Sequence, residues 1–208
     1  MSGASSSTRG RRPGAPDTRA EILASARALF ATRGFAGTTI RAVAGEASVD
    51  PALVHHYFGS KDDLFVAALE LPVDPRVALA PVLEGGAEGA GERLLRVFLS
   101  VWDDESSRLP LLGLVRGVVD SEGRRLLRDG LLGVVLGPLA PRLGLDRPDE
   151  RVALVASQMI GLVMLRYVLE VEPLASMDPD VLVATYAPTV QRYLTGELPP
   201  LTDPRSRG

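Results

Sequence analysis

The stretch "TTIRAVAGEASVDPALVHHYFGSKDDLF", residues 38–65, contains two short helical patterns on either side of a tight turn. The spacing predicts a helix over 39–47, with Thr38 as its N-cap. Ser48 and Val49 then make the turn. Asp50 caps the next helix, and Pro51 takes its first position, where a missing N–H costs nothing. Gly59 ends that helix. Ser60 opens another, with Asp63 three residues on to complete a capping box. Two helices joined this tightly have helix-turn-helix spacing. Ala44 is small where the two helices would cross, and Val54, ten positions later, packs back on it. Val43, Val49 and Phe58 fill the small core. Pro51, Ala52, Leu53, His55 and His56 are left facing outward, a face short and narrow enough to enter a DNA major groove.

The same stretch holds both histidines of the chain and its only lysine, Lys61. A metal site, an acid–base site and an anion-gripping surface are the competing explanations. Metal ligands on one helix need a spacing of three or four. Adjacent His55 and His56 point about 100° apart instead, and no H-E-x-x-H pattern surrounds them. The chain shows no nucleophile elbow, and no glycine-rich phosphate loop follows a strand. The expectation is therefore no metal, no cofactor and no catalytic residue. Lys61 lies in the first turn of a helix, where the macrodipole disfavours a cation. A phosphate meeting the lysine and the free N–H groups there would explain it; a plain solvated lysine is the alternative.

Working outward, the apolar residues keep recurring at helical spacing, and the fold class is all-α. A first helix runs from an N-cap at Asp17 to Arg33, burying Ile22, Ala26, Leu29 and Phe30. Gly34 is placed as a left-handed C-cap, with Phe35 set to touch Phe30. Residues 72–91, rich in Pro, Gly and Ala, read as a linker with a short helix at about 74–84. Further helices are expected at about 89–104, 107–119, 121–143, 148–171 and 179–195. The domain reading is a flexible basic arm (1–16), a helix-turn-helix domain (17–72), a larger helical domain (73–198) and a disordered tail (199–208).

Charge divides along the same line. Residues 1–61 carry eight basic and four acidic side chains; the remainder carries fifteen basic and twenty-two acidic. A basic end on an acidic body suggests that one end meets a polyanion. The chain has no cysteine, which fits a reducing cytoplasm. Residues 152–165, "VALVASQMIGLVML", are apolar nearly all round. Gln158 and Arg166 interrupt that run well short of the roughly 20 residues of a membrane span. No membrane association is expected. A helix apolar on all faces must be buried on all faces, either inside one protomer or between two. The second reading makes a homodimer, with Leu162 or Val163 at the seam.

Residues 17–65 resemble the DNA-binding domain of TetR-family transcriptional regulators. The resemblance lies in the Gly34-Phe35 pair, Thr38-Thr39 opening the second helix, and Tyr57-Phe58, Ser60-Lys61 and Leu64 after the third. It implies a dimeric, all-helical protein whose C-terminal domain binds a small molecule that loosens its grip on DNA. It also implies backbone contacts from Thr39, His55, Tyr57 and Lys61, with Thr38 beside them as contact or plain cap. Pro51, Ala52, Leu53 and His56 form the implied groove-facing set. Ser48 stands where the family has a turn glycine, a change expected to alter only a cap preference, and His55 stands where it has tyrosine. Tyr57 could equally be a core residue. Arg9, Arg11 and Arg12 either enter a minor groove or have no role. Trp102 and Met159 are candidates for an effector pocket, with a core role as the alternative for each.

The expected function is a sequence-specific, cytoplasmic, non-enzymatic regulator. It would be a homodimeric repressor on an inverted-repeat operator of double-stranded DNA, released by a small-molecule effector. An all-helical enzyme and a protein-interaction module, each with its site in the C-terminal domain, are the rivals.

Overall fold

In a computed structural model the described residues are 17–71, 73–116, 121–125, 128, 133–134 and 136–200. Among them every regular element is a helix. The expected N-terminal arm, with Arg9, Arg11 and Arg12, lies outside the described residues, as do 201–208 and most of 117–135.

The first four helices are α1 (Thr18–Gly37), α2 (Ile40–Glu46), α3 (Pro51–Phe58) and α4 (Lys61–Ala68). They close around Ile22, Phe30, Val43, Val54, Leu64 and Phe65. The caps act as the sequence predicts at Asp17, Asp50 and Ser60, each side chain accepting from a backbone N–H of its helix. Gly34 departs from expectation. Its φ of 73° is the positive value a C-cap glycine takes, but its ψ is 172°. That region is open essentially only to glycine. The chain leaves it extended and makes one more turn to Gly37, so α1 is kinked instead of ended. The turn still folds Phe35 back onto Phe30, ring centroids 5.9 Å apart.

The linker helix is broken at Leu79 into α5 (Pro75–Ala78) and α6 (Ala80–Glu84). The body is then built from α7 (Ala90–Asp103), α8 (Glu105–Arg116), α9 (Ser121–Arg125), α10 (Leu139–Arg142), α11 (Pro148–Leu162) and α12 (Pro179–Thr195). A π-helical turn, Val163–Val168, extends α11. α7 and α12 pack along their lengths. Gly91 allows it: a Cβ there would sit 2.6 Å from the backbone nitrogen of Gln191. The tail expected from residue 199 is anchored at its start, because Arg147 donates to the carbonyls of Leu198 and Pro199.

Pro148–Val168 is long and apolar enough to cross a bilayer, and a third of it is buried inside the protomer. Its two arginines lie on the buried side. Arg151 donates to the carbonyls of Tyr193 and Gly196, and Arg166 to those of Leu174 and Met177. Leu162 and Val163, expected at a dimer seam, are only 1% and 5% exposed and belong to the protomer's own core. The uncovered apolar side chains are Ile160, at 44%, together with Leu165, Val168 and Leu169.

Candidate nucleic-acid interface

α2 and α3 are joined by Ala47–Asp50, with Val49 N–H donating to Ala44 O and Ser48 N–H to Gly45 O. Ala44 and Val54 are buried at the crossing, as their sizes and spacing require. Ser48 has φ 55°. It therefore occupies a left-handed position that glycine takes without strain. The serine changes backbone energy, and the expectation that it alters only a cap preference is corrected.

α3 presents Ala52, His55, His56 and Tyr57 to solvent, with Pro51 and Leu53 half-buried at the edges. Tyr57 is 43% exposed, which settles it at the surface and not in the core. His55 Nδ1 lies 2.7 Å from Gly59 O. A carbonyl can only accept, so Nδ1 carries the proton. In the neutral ring Nε2 is then a bare acceptor, and it becomes a donor only when the imidazole is protonated.

The two threonines exchange roles. Thr39 is the N-cap of α2, its hydroxyl accepting from Ala42 N–H at 3.1 Å. It is exposed and keeps its own O–H to donate. Thr38 is 0% exposed, and its hydroxyl donates to Leu29 O at 3.0 Å and Gly34 O at 2.8 Å. Thr38 is therefore a buried clamp on the kink of α1; it neither caps α2 nor faces a ligand.

Lys61 is the first residue of α4, half-buried, with Nζ 4.2 Å from the centroid of the Phe35 ring. Loss of hydration pushes its pKa down, with Asp62 opposing. Asp63 is taken by Ser60 and by Arg76 at 2.8 Å. Those bonds, the Ser60 hydroxyl first, hold its carboxyl below the usual carboxylate range. Arg41, exposed on the first turn of α2, adds a cation that the sequence reading missed. Its signal was available: an arginine two positions past a threonine cap.

In the body, Trp102 is buried with Leu111 and Val163 and stacks on Tyr167 at 5.3 Å. Met159 is buried in a separate cluster with Leu95, Val155 and Leu182. The structure does not bring the two together. A small apolar pocket of about 30 Å³ lies between Val82, Leu94, Ala140 and Val155, and neither residue lines it. Among the described residues no group of His, Cys, Asp and Glu could hold a metal.

Residues 22–68 match the family described as bacterial regulatory proteins, tetR family. Residues 88–194, more than half of the chain, match the tetracyclin repressor-like C-terminal domain. The chain belongs to the TetR family. Among TetR-family relatives it is 32% identical over 123 residues to the HTH-type transcriptional regulator BetI of Brucella anthropi, covering 54% of this chain and 61% of BetI. It is 37% identical over 78 residues to the HTH-type transcriptional repressor SCO4008 of Streptomyces coelicolor, covering 38% and 41%. The alignments thus span about two fifths to three fifths of these relatives. Among solved structures it is similar to a TetR-family regulator, SCO0857, from Streptomyces coelicolor A3. The identity is 43%, over 89% of this chain and 98% of that one, with a TM-score of 0.48. The helix-turn-helix geometry described above lies within the matched N-terminal region of this TetR-family chain.

Proposed function

We propose that the chain is a cytoplasmic, homodimeric transcriptional repressor that grips an inverted-repeat operator through α3 and is released by a small molecule bound in its C-terminal body. The observation that carries this reading is the exposed, narrow face of α3, held on the buried Ala44–Val54 crossing within the family's DNA-binding region. Pro51, Ala52, Leu53 and His56 face the groove. With no long hydrogen-bonding side chain besides histidine, they read thymine methyls and shape more than donor patterns. Thr39, His55, Tyr57, Lys61 and Arg41 meet phosphates, which fix register without reading sequence.

The second copy covers Ile160 of α11, Leu165 and Val168 on its extension, and the exposed Val181, Ala184, Thr185 and Pro188 of α12. Two such helices paired with their symmetry mates make a four-helix seam about a two-fold axis. Leu71 links the halves, packing against both the α1–α4 core and the Trp102 cluster. An effector that opens the body near Trp102 would act on α4 through it.

The test is binding of labelled duplex DNA across a salt series. Wild type should lose affinity steeply with salt, and Lys61→Ala should be weaker on all sequences with a slope shallower by about one. Ile160→Asp should sediment as a monomer at micromolar concentration and lose tight binding. Salt-independent DNA binding, or a monomeric wild type, would overturn the reading.

A further inference from the structure

We propose that Phe35 is a positioning residue for DNA binding: its ring holds the Lys61 ammonium at the start of α4, in place to receive a backbone phosphate, and keeps that contact in the complex. The inference rests on the DNA-binding reading above.

The ring is fixed before the lysine reaches it. Gly34 turns the chain so that Phe35 stacks on Phe30 at 5.9 Å, and Phe65 of α4 meets it edge-on at 5.4 Å. One face of a locked ring is left for Lys61, whose Nζ stands 4.2 Å from its centroid. That is well inside the range of a cation–π contact. Among the described residues no hydrogen bond or salt bridge to the ammonium is found; Asp62 acts on it only through its field, and Asp63 is occupied by Ser60 and Arg76. Lys61 therefore keeps its full charge for a ligand while its stem has a defined place.

This matters because a lysine is a flexible point charge, and freezing its side chain costs rotamer entropy when it meets a phosphate. A contact that orders the stem in the free protein removes part of that cost from the binding step. It also offsets the unfavourable macrodipole at a helix start. Partial burial leaves the ammonium short of hydration, which an arriving phosphate would replace.

The experiment replaces Phe35 with pentafluorophenylalanine, which keeps ring size and packing but removes the negative face, and in parallel makes Phe35→Leu. Each is combined with wild-type Lys61 and with Lys61→Ala. Affinity for a selected duplex and for unrelated DNA is measured, with melting temperature as the check on folding. The fluorinated ring should weaken both duplexes by about two- to fivefold, and should have no effect in the Lys61→Ala background. The fluorinated variant carries the test even if Phe35→Leu does not fold. Unchanged or tighter binding by the fluorinated protein, or an equal loss with and without Lys61, overturns this inference alone. Failure of the wild type to bind any duplex overturns the reading on which it rests.

Discussion

Thr38→Val removes one hydroxyl, keeps the side-chain shape, and separates a structural threonine from a DNA-contacting one. The hydroxyl is wholly buried and donates to two carbonyls, Leu29 O at 3.0 Å and Gly34 O at 2.8 Å. Leu29 O lies in the regular part of α1, whereas Gly34 O lies at the kink. Leu29 O also accepts from Thr32 Oγ1 at 3.4 Å, so losing the buried donor deprives chiefly Gly34 O, at a cost of about 1–3 kcal/mol. The valine methyl fills the space, so no cavity is added. For a chain of this size each kcal/mol lowers the melting temperature by about 2–4 °C, and a fall of about 4–8 °C is expected from a mid-range loss of about 2 kcal/mol. DNA affinity and its salt slope, measured well below the melting temperature, should equal those of wild type. The assay pairs a thermal melt with a salt-series titration of duplex DNA. An unchanged melting temperature with a lost phosphate contact, seen as a slope shallower by about one, would refute the placement of Thr38.

The other predictions concern the turn, the histidine and the capping box. Ser48→Gly should raise stability by about 0.5–1 kcal/mol, because relief of the left-handed serine exceeds the extra entropy glycine loses on folding; a denaturant midpoint that falls would count against the turn geometry. Because His55 Nδ1–H is held by Gly59 O, only Nε2 is left for a phosphate, so His55→Ala should weaken binding to all duplexes alike; unchanged affinity would remove His55 from the contacts. Asp63→Ala should cost about 0.5–2 kcal/mol of stability at neutral pH through loss of the cap. Since hydrogen bonds from Ser60 depress the Asp63 pKa in the fold, the wild-type advantage is fully present above the unfolded carboxyl value near about 4. It should disappear as pH falls through the lower folded value; a difference that persists in strong acid would contradict that cause.

What could be read from the sequence was whatever neighbours a few residues apart decide. Asp50 with Pro51, and Ser60 with Asp63, are caps whose partners lie within one turn. The Ala44–Val54 crossing follows from the size and spacing of two residues. The Thr38–Thr39 assignment failed because both are good caps, and the choice was made by the extra turn after Gly34, which no local rule supplies. Lys61 over Phe35 is a contact across 26 positions and left no local trace. The inward face of α11 was hidden for a different reason. A helix apolar all round gives no stripe to read, and its orientation is marked by the residues least expected inside. Arg151, Val155, Met159, Leu162 and Arg166 form one buried row, both arginines donating to backbone carbonyls of the following segments. That row turns Ile160 and Leu165 outward and takes Leu162 and Val163 away from any seam.

Two copies of α3, related by a two-fold axis, read DNA together in the proposed repressor, and selection of bound duplexes from a random library by the full chain tests that arrangement. One inverted repeat should be enriched, its half-site centres about 10 base pairs, or a multiple of that, apart, with affinity for it lost in Ile160→Asp. Enrichment of a single unrepeated half-site bound at full affinity, or no enrichment at all, would contradict it.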